Sequence, residues 1–148
     1  MTGYGRKVVV QSDFETGVGA VGQALREEGF QVVARVDLRD HFWRHANTAF
    51  GPYVLIHAWS PDMALAALRL NADVGSCLAT TFAVYKETDT TTVVLMRDPF
   101  SPMADESAWR MGTPDLASAA DGERERAARV LDRLRSPAKA GGCLDACA

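Results

Sequence analysis

Residues 53–87 read YVLIHAWSPDMALAALRLNADVGSCLATTFAVYKE, and the alternation of elements in this stretch decides the fold. Tyr53 to Trp59 is a short apolar run of strand length. Ser60-Pro61 opens a helix, in which Met63, Leu65, Ala66, Leu68 and Leu70 recur at helical spacing. After Asn71 to Gly75 a second apolar run resumes, carries Cys77, and ends in Tyr85-Lys86-Glu87. The unit is therefore strand, helix, strand. His57, Ser60, Cys77, Thr80 and Thr81 fall inside or at the ends of elements that should be mostly buried, and a buried polar group needs a partner. A functional site is expected here.

Upstream, Lys7 to Ser12 is a valine-rich strand, and Ser12 or Asp13 can cap the next helix, about Glu15 to Glu28. That helix presents Val18, Val21 and Leu25 on one face with Phe14 before it, and Gly29 supplies a left-handed end. Phe30 to Asp37 is the next strand, with one face wet. Asp37 to Asp40 opens a short helix through about Ala46 that bears His41, Phe42, Trp43 and His45, and Gly51-Pro52 ends the segment.

Downstream, Thr88 to Thr91 is a turn, so Phe82 to Glu87 and Thr92 to Arg97 should form a hairpin. Asp98-Pro99 and Ser101-Pro102 break the strand, and residues 99–112 form an irregular or weakly helical connection with Met103, Trp109 and Met111 as packing anchors. Thr113-Pro114-Asp115 starts a last helix that runs to about Arg135 unless Gly122 divides it. Ala127, Val130, Leu131 and Leu134 give its apolar face; the ERER and DRLR runs (residues 123–126 and 132–135) give its solvated one. Ser136 to Ala148 has no periodicity.

The order β-α-β-α-β-α-β-β-α, with short alternating strands, argues for an α+β fold: a single mixed or antiparallel sheet of about five strands with helices packed on one face. Residues 1–135 make one domain and 136–148 a flexible tail. A sheet covered on one side leaves the other open to a partner, so a homodimer is expected.

Composition narrows the function classes. The chain has 148 residues, 47% of them hydrophobic and 24% charged, as in an ordinary globular domain. Its net charge is -3 with the two signs interspersed, so no nucleic-acid partner is expected. No stretch approaches the roughly 20 apolar residues of a membrane span, and the N-terminus lacks signal-peptide architecture. A cytoplasmic location is expected, with Cys77, Cys143 and Cys147 as thiols.

Phe14…Gly29-Phe30, Pro52-Tyr53-Val54-Leu55-Ile56, Ala58…Pro61, Asp73-Val74-Gly75, Val84-Tyr85, Asp98-Pro99 and Gly112-Thr113-Pro114-Asp115-Leu116 follow a familiar order and spacing. In these short matches the chain resembles the domain-of-unknown-function 302 family over roughly Phe14 to Leu134. The resemblance implies a compact α+β domain of TATA-box-binding-protein-like topology, without DNA function and with no activity attached. Family members often carry Ala-Cys-Asn-Pro where this chain has Ala58-Trp59-Ser60-Pro61, and Leu-Pro-Cys where it has Leu78-Ala79-Thr80. The two customary cysteines are replaced by Trp59 and Thr80, so no thiol role at those positions carries over. His57 stands where the family tends to be small, with Cys77 nearby.

Each candidate has a plain structural alternative. If Ile56 points to the core, His57 points to the opposite face, where it is either an acid-base or ligand-binding group or a hydrogen-bonded surface histidine. His41 and His45, four residues apart, can share a metal, but no HExxH pattern and no third ligand accompany them. Trp59 packs or walls a pocket for a planar ligand. Cys77 is a small buried hydrophobe or a nucleophile. Cys143 and Cys147 are assigned no function. Gly17, Gly19 and Gly22 spell GxGxxG with Asp37 beyond, but inside a helix, so the dinucleotide reading is weak.

The functional expectation is a small-molecule-binding protein, extending to a cofactor-independent enzyme, with the site in a pocket between sheet and helices. There His57 would act as acid-base and Cys77 and Thr80 would support it, with Trp59, Ser60, Tyr85 and Met63 contacting the ligand. The alternative is a haem- or transition-metal-binding protein using His57, His41 or His45, and the second alternative is a dimeric scaffold without pocket chemistry.

Overall fold

The computed structural model describes residues 3–97 and 114–135. The expectations for Met103, Trp109 and Met111 and for the tail with Cys143 and Cys147 lie outside the described residues. The elements follow in the expected order: β1 (Arg6–Val10), α1 (Phe14–Glu27), β2 (Gln31–Asp37), α2 (Leu38–Ala46), β3 (Tyr53–Trp59), α3 (Pro61–Leu70), a 3-10 turn (Ala72–Cys77), β4 (Thr80–Lys86), β5 (Thr92–Arg97) and α4 (Pro114–Arg135). The five strands form one sheet, ordered β1-β5-β4-β3-β2, and every neighbouring pair is antiparallel. This is the α+β architecture expected from the sequence. No helix among the described residues is long and apolar enough to cross a membrane.

Two boundaries differ from expectation for local reasons. Cys77 closes the 3-10 turn and does not lie in a strand; β4 begins only at Thr80. Asn71, Asp73, Gly75 and Ser76 are turn formers, and the Asn71 side chain accepts the Asp73 N–H at 2.9 Å. At α1, Asp13 is the cap, accepting the Thr16 N–H at 3.0 Å and its hydroxyl at 2.7 Å. Ser12 instead offers its carbonyl to the Thr92 hydroxyl at 3.1 Å.

The main core lies between one sheet face and the helix pair α1 and α4. Val18, Val21 and Leu25 from α1 and Val130, Leu131 and Leu134 from α4 meet Val54, Ile56, Phe82, Val84 and Val94 of the strands. Gly29, with φ at 80°, turns the chain out of α1. The next residue, Phe30, re-enters the core at 4% exposed. At this corner Glu28 accepts from Arg129 at 2.8 Å and from Arg133 at 2.6 Å, which ties α4 to the end of α1 and holds the Glu28 carboxyl below the usual glutamate range. A smaller cluster, Ala64, Ala67, Val74 and Leu78, joins α3 to the 3-10 turn.

Helices on one face describes α1 and α4; α2 departs from it. It buries none of its residues and packs beside β2 and β3, where Phe42, Phe50 and Tyr53 form a chain of ring contacts 5.0 and 6.1 Å apart. Strand β2 is a sheet edge, exposed along Gln31 to Arg35, with a register shift between Val32 and Ala34.

The three glycines of the GxGxxG pattern lie within α1, where Gly17 alone of them is buried. A Cβ on Gly17 would stand 2.8 Å from the Thr92 methyl and 3.0 Å from its hydroxyl oxygen, whereas Gly19 faces open space. Thr92 is branched at Cβ and tied to Ser12, so it yields little. Gly17→Val is expected to destabilise the protein by about 1–3 kcal/mol through overpacking. Gly19→Ala should stabilise it by about 0.5–1 kcal/mol through helix propensity. Denaturant midpoints of the two variants check this contrast.

Candidate functional site

Period-two alternation along β3 sorts the candidate residues. Val54, Ile56 and Ala58 are buried on the helix side, so Tyr53, Leu55, His57 and Trp59 face the other side of the sheet, where all four are half-buried. A pocket between the sheet and α1 or α4 therefore does not contain His57, which lies on the opposite, second face. Nor is that face bare: Val93 is 0% and Ala83 8% exposed.

The register then selects the partner of His57. His57 lies opposite Thr81 in the β3–β4 ladder, and its Nδ1 is 3.1 Å from the Thr81 hydroxyl oxygen. Thr80, one residue earlier, points to the helix side, pairs with Ala58 and is 0% exposed. Thr80 is therefore out of reach of His57 and Thr81 is its neighbour, because a one-residue step reverses the face of a strand residue. Which ring nitrogen of His57 carries the proton decides what the pair offers. With Thr81 donating to Nδ1, Nε2–H is a donor; with Nδ1–H donating to Thr81, Nε2 is an acceptor. In both cases Thr81 fixes the ring.

Tyr53 and Tyr85, also cross-strand partners on this face, stack with ring centroids 5.3 Å apart and planes at 13°. Burial, with the neighbouring Tyr85, pushes the Tyr53 phenol up, so the Tyr53 ring is neutral at physiological pH. Trp59 and Met63 pack against the small α3 cluster. Cys77 donates its thiol to the Val74 carbonyl at 3.3 Å, and burial pushes its pKa up. Both features disfavour the thiolate of Cys77.

His41 and His45 have ring centroids 4.7 Å apart on the exposed helix α2. Among the described residues, no three His, Cys, Asp or Glu side chains are placed to hold a metal ion.

Ser60 lies elsewhere, in a buried node that sequence reasoning missed. Its N–H donates to Glu123 Oε1 at 2.9 Å, and its hydroxyl accepts from Arg126 at 2.9 Å; it makes no side-chain cap for α3. Glu123, expected on the solvated face of the last helix, is 1% exposed. Burial raises its pKa, against the opposing pull of the Ser60 hydrogen bonds and Arg126. Glu123 Oε2 and Thr80 Oγ1 have no hydrogen-bond partner among the described residues. The signal was present in the spacing: Ala120, Glu123, Ala127, Val130 and Leu134 form one helical stripe, which the alternating charges of residues 123–126 disguised.

One antiparallel five-stranded sheet with α1 and α4 packed on one face, and the His57–Thr81 contact on the other, makes this a single-sheet α+β domain. The family described as domain of unknown function DUF302 matches residues 6–134, and the chain belongs to it. A crystal structure of an uncharacterized conserved DUF302 protein from Bacillus stearothermophilus is similar to it in fold, with a TM-score of 0.68 and 24% sequence identity. The match covers 90% of this chain and 100% of that one. No curated protein matches the chain.

Proposed function

We propose that the protein binds a small organic molecule on the second face of its sheet, with the His57–Thr81 pair as the polar centre and His57 as the group that gives or takes a proton. The observation that carries this reading is the 3.1 Å His57–Thr81 contact at a half-buried position. A surface histidine in water needs no such partner, whereas a histidine that must present Nε2 in one orientation does. The stacked Tyr53 and Tyr85 share this face but stand four residues along the strands, about 13 Å from His57, so they lie outside the reach of a ligand held by the pair.

A thermal-shift screen of small planar molecules tests the proposal, run in parallel on the native protein, His57→Ala and Thr81→Val. Ligands that stabilise the native protein should bind His57→Ala at least about tenfold more weakly, the loss of one hydrogen bond to a ligand polar group. Thr81→Val should show a smaller loss, since it frees the ring without removing it. Both variants should melt close to the native protein, because neither side chain belongs to the core. Ligands bound equally well by His57→Ala would remove His57 from the site.

A further inference from the structure

The second face carries charge of one sign. Register places Arg97 opposite Thr81, which is itself opposite His57, so Arg97, Thr81 and His57 form one cross-strand row. Lys7, opposite Leu95, projects from the same face one diagonal step from Arg97. No Asp or Glu occupies a position on this face in any of the five strands, although the chain as a whole carries a net charge of -3. Arg97 and Lys7 are exposed and have no carboxylate partner among the described residues; Arg6, Arg26, Arg35 and Arg69 are likewise without one, and what sets Arg97 and Lys7 apart is their shared place on the second face. Two cations without a carboxylate partner among the described residues, beside a hydroxyl and an imidazole, form a positive surface that favours a negative charge.

We infer that the molecule bound on this face is a small organic anion whose carboxylate or phosphate sits on Arg97 with Lys7 beside it, its planar body lying across Thr81 toward His57. The inference rests on the proposed second-face site and adds the charge class of its ligand. Neighbouring strands lie about 4.8 Å apart, so Arg97 and His57 are separated by about 10 Å, which one aromatic acid and the reach of an arginine side chain can span. A guanidinium takes both oxygens of such a group at once. The body of the ligand then comes within reach of the proton that His57 gives or takes.

The test uses benzoate, phenyl phosphate and the neutral benzamide as probes, followed through the imidazole resonances of His57 by NMR. Benzoate or phenyl phosphate should shift these resonances saturably, and benzamide should not. Whichever oxyanion binds more tightly identifies the head group. Arg97→Gln should weaken that binding by about tenfold or more, the loss of a bidentate charged contact. Arg35→Gln, the same change on the helix side of the sheet opposite Ile56, should leave it unchanged. Added salt should weaken binding, since Arg97 and Lys7 are exposed. Benzamide binding as well as benzoate, or Arg97→Gln binding as well as the native protein, would overturn the anion while leaving the site. If neither oxyanion nor benzamide shifted His57, both the anion and the site would fall.

Discussion

Replacing Glu123 by alanine is expected to destabilise the protein by about 2–4 kcal/mol, because it strands the buried Ser60 N–H and leaves a cavity under α3. A typical domain is stable by about 5–15 kcal/mol, so this is a large part of the whole. Glu123→Gln keeps an oxygen where Ser60 needs an acceptor, and should fall within about 1 kcal/mol of the native protein near neutral pH. The two variants differ further in their response to pH. Burial makes Glu123 harder to ionise in the folded chain than in the unfolded one, so its folded pKa lies above the ordinary 4.5. The stability linked to it is complete below that ordinary value and is lost as pH rises through the folded value. Glu123→Gln should therefore gain on the native protein as pH rises through this window and show no gain below it. Glu28 acts in the opposite sense: its lowered pKa gives stability that disappears as pH falls below the ordinary range. Since Glu28 is present in both proteins, the difference in unfolding free energy between the native protein and Glu123→Gln isolates Glu123. A flat difference from pH 4 to pH 8 would show that Glu123 titrates normally.

Phe82→Ala should cost about 3–5 kcal/mol, the loss of a large buried ring plus its cavity. Phe82 is 0% exposed at the middle of β4, between Ile56 and Met96 in the register, and it faces the α1–α4 layer. Trp43→Ala removes a larger ring but should change stability by no more than about 0.5 kcal/mol, because Trp43 is 61% exposed on α2. Urea unfolding of the two variants makes the comparison. Equal losses would mean that α2 is packed far more closely than its exposed side chains indicate.

Much of the fold was legible because local signals agreed with one another. Alternation in Tyr53 to Trp59, the Pro61 helix start, the left-handed Gly29 and the β4–β5 hairpin each reported a local preference that tertiary packing kept. Cys77 was misplaced because an apolar run does not say where a strand begins, and the Asn71–Ser76 turn formers extended further than expected.

The site was legible only in part. Ile56 in the core put His57 on the opposite face by alternation alone, but choosing Thr81 over Thr80 required the β3–β4 register, which no turn between those strands sets. The charge of the second face was hidden for the same reason, since Lys7, Thr81 and Arg97 come together only through two further ladders. Glu123 was hidden differently. Its spacing placed it on the buried stripe, but charge outweighed position in the reading, as it usually should for a glutamate.

The most direct measurement is a crystal structure of the protein with the tightest ligand from the thermal-shift screen. The expected result places that ligand on the second face with a polar atom within hydrogen-bond distance of His57 Nε2 and its anionic group on Arg97. A ligand seated between the sheet and α1 or α4, or one out of reach of His57, would contradict the proposed site.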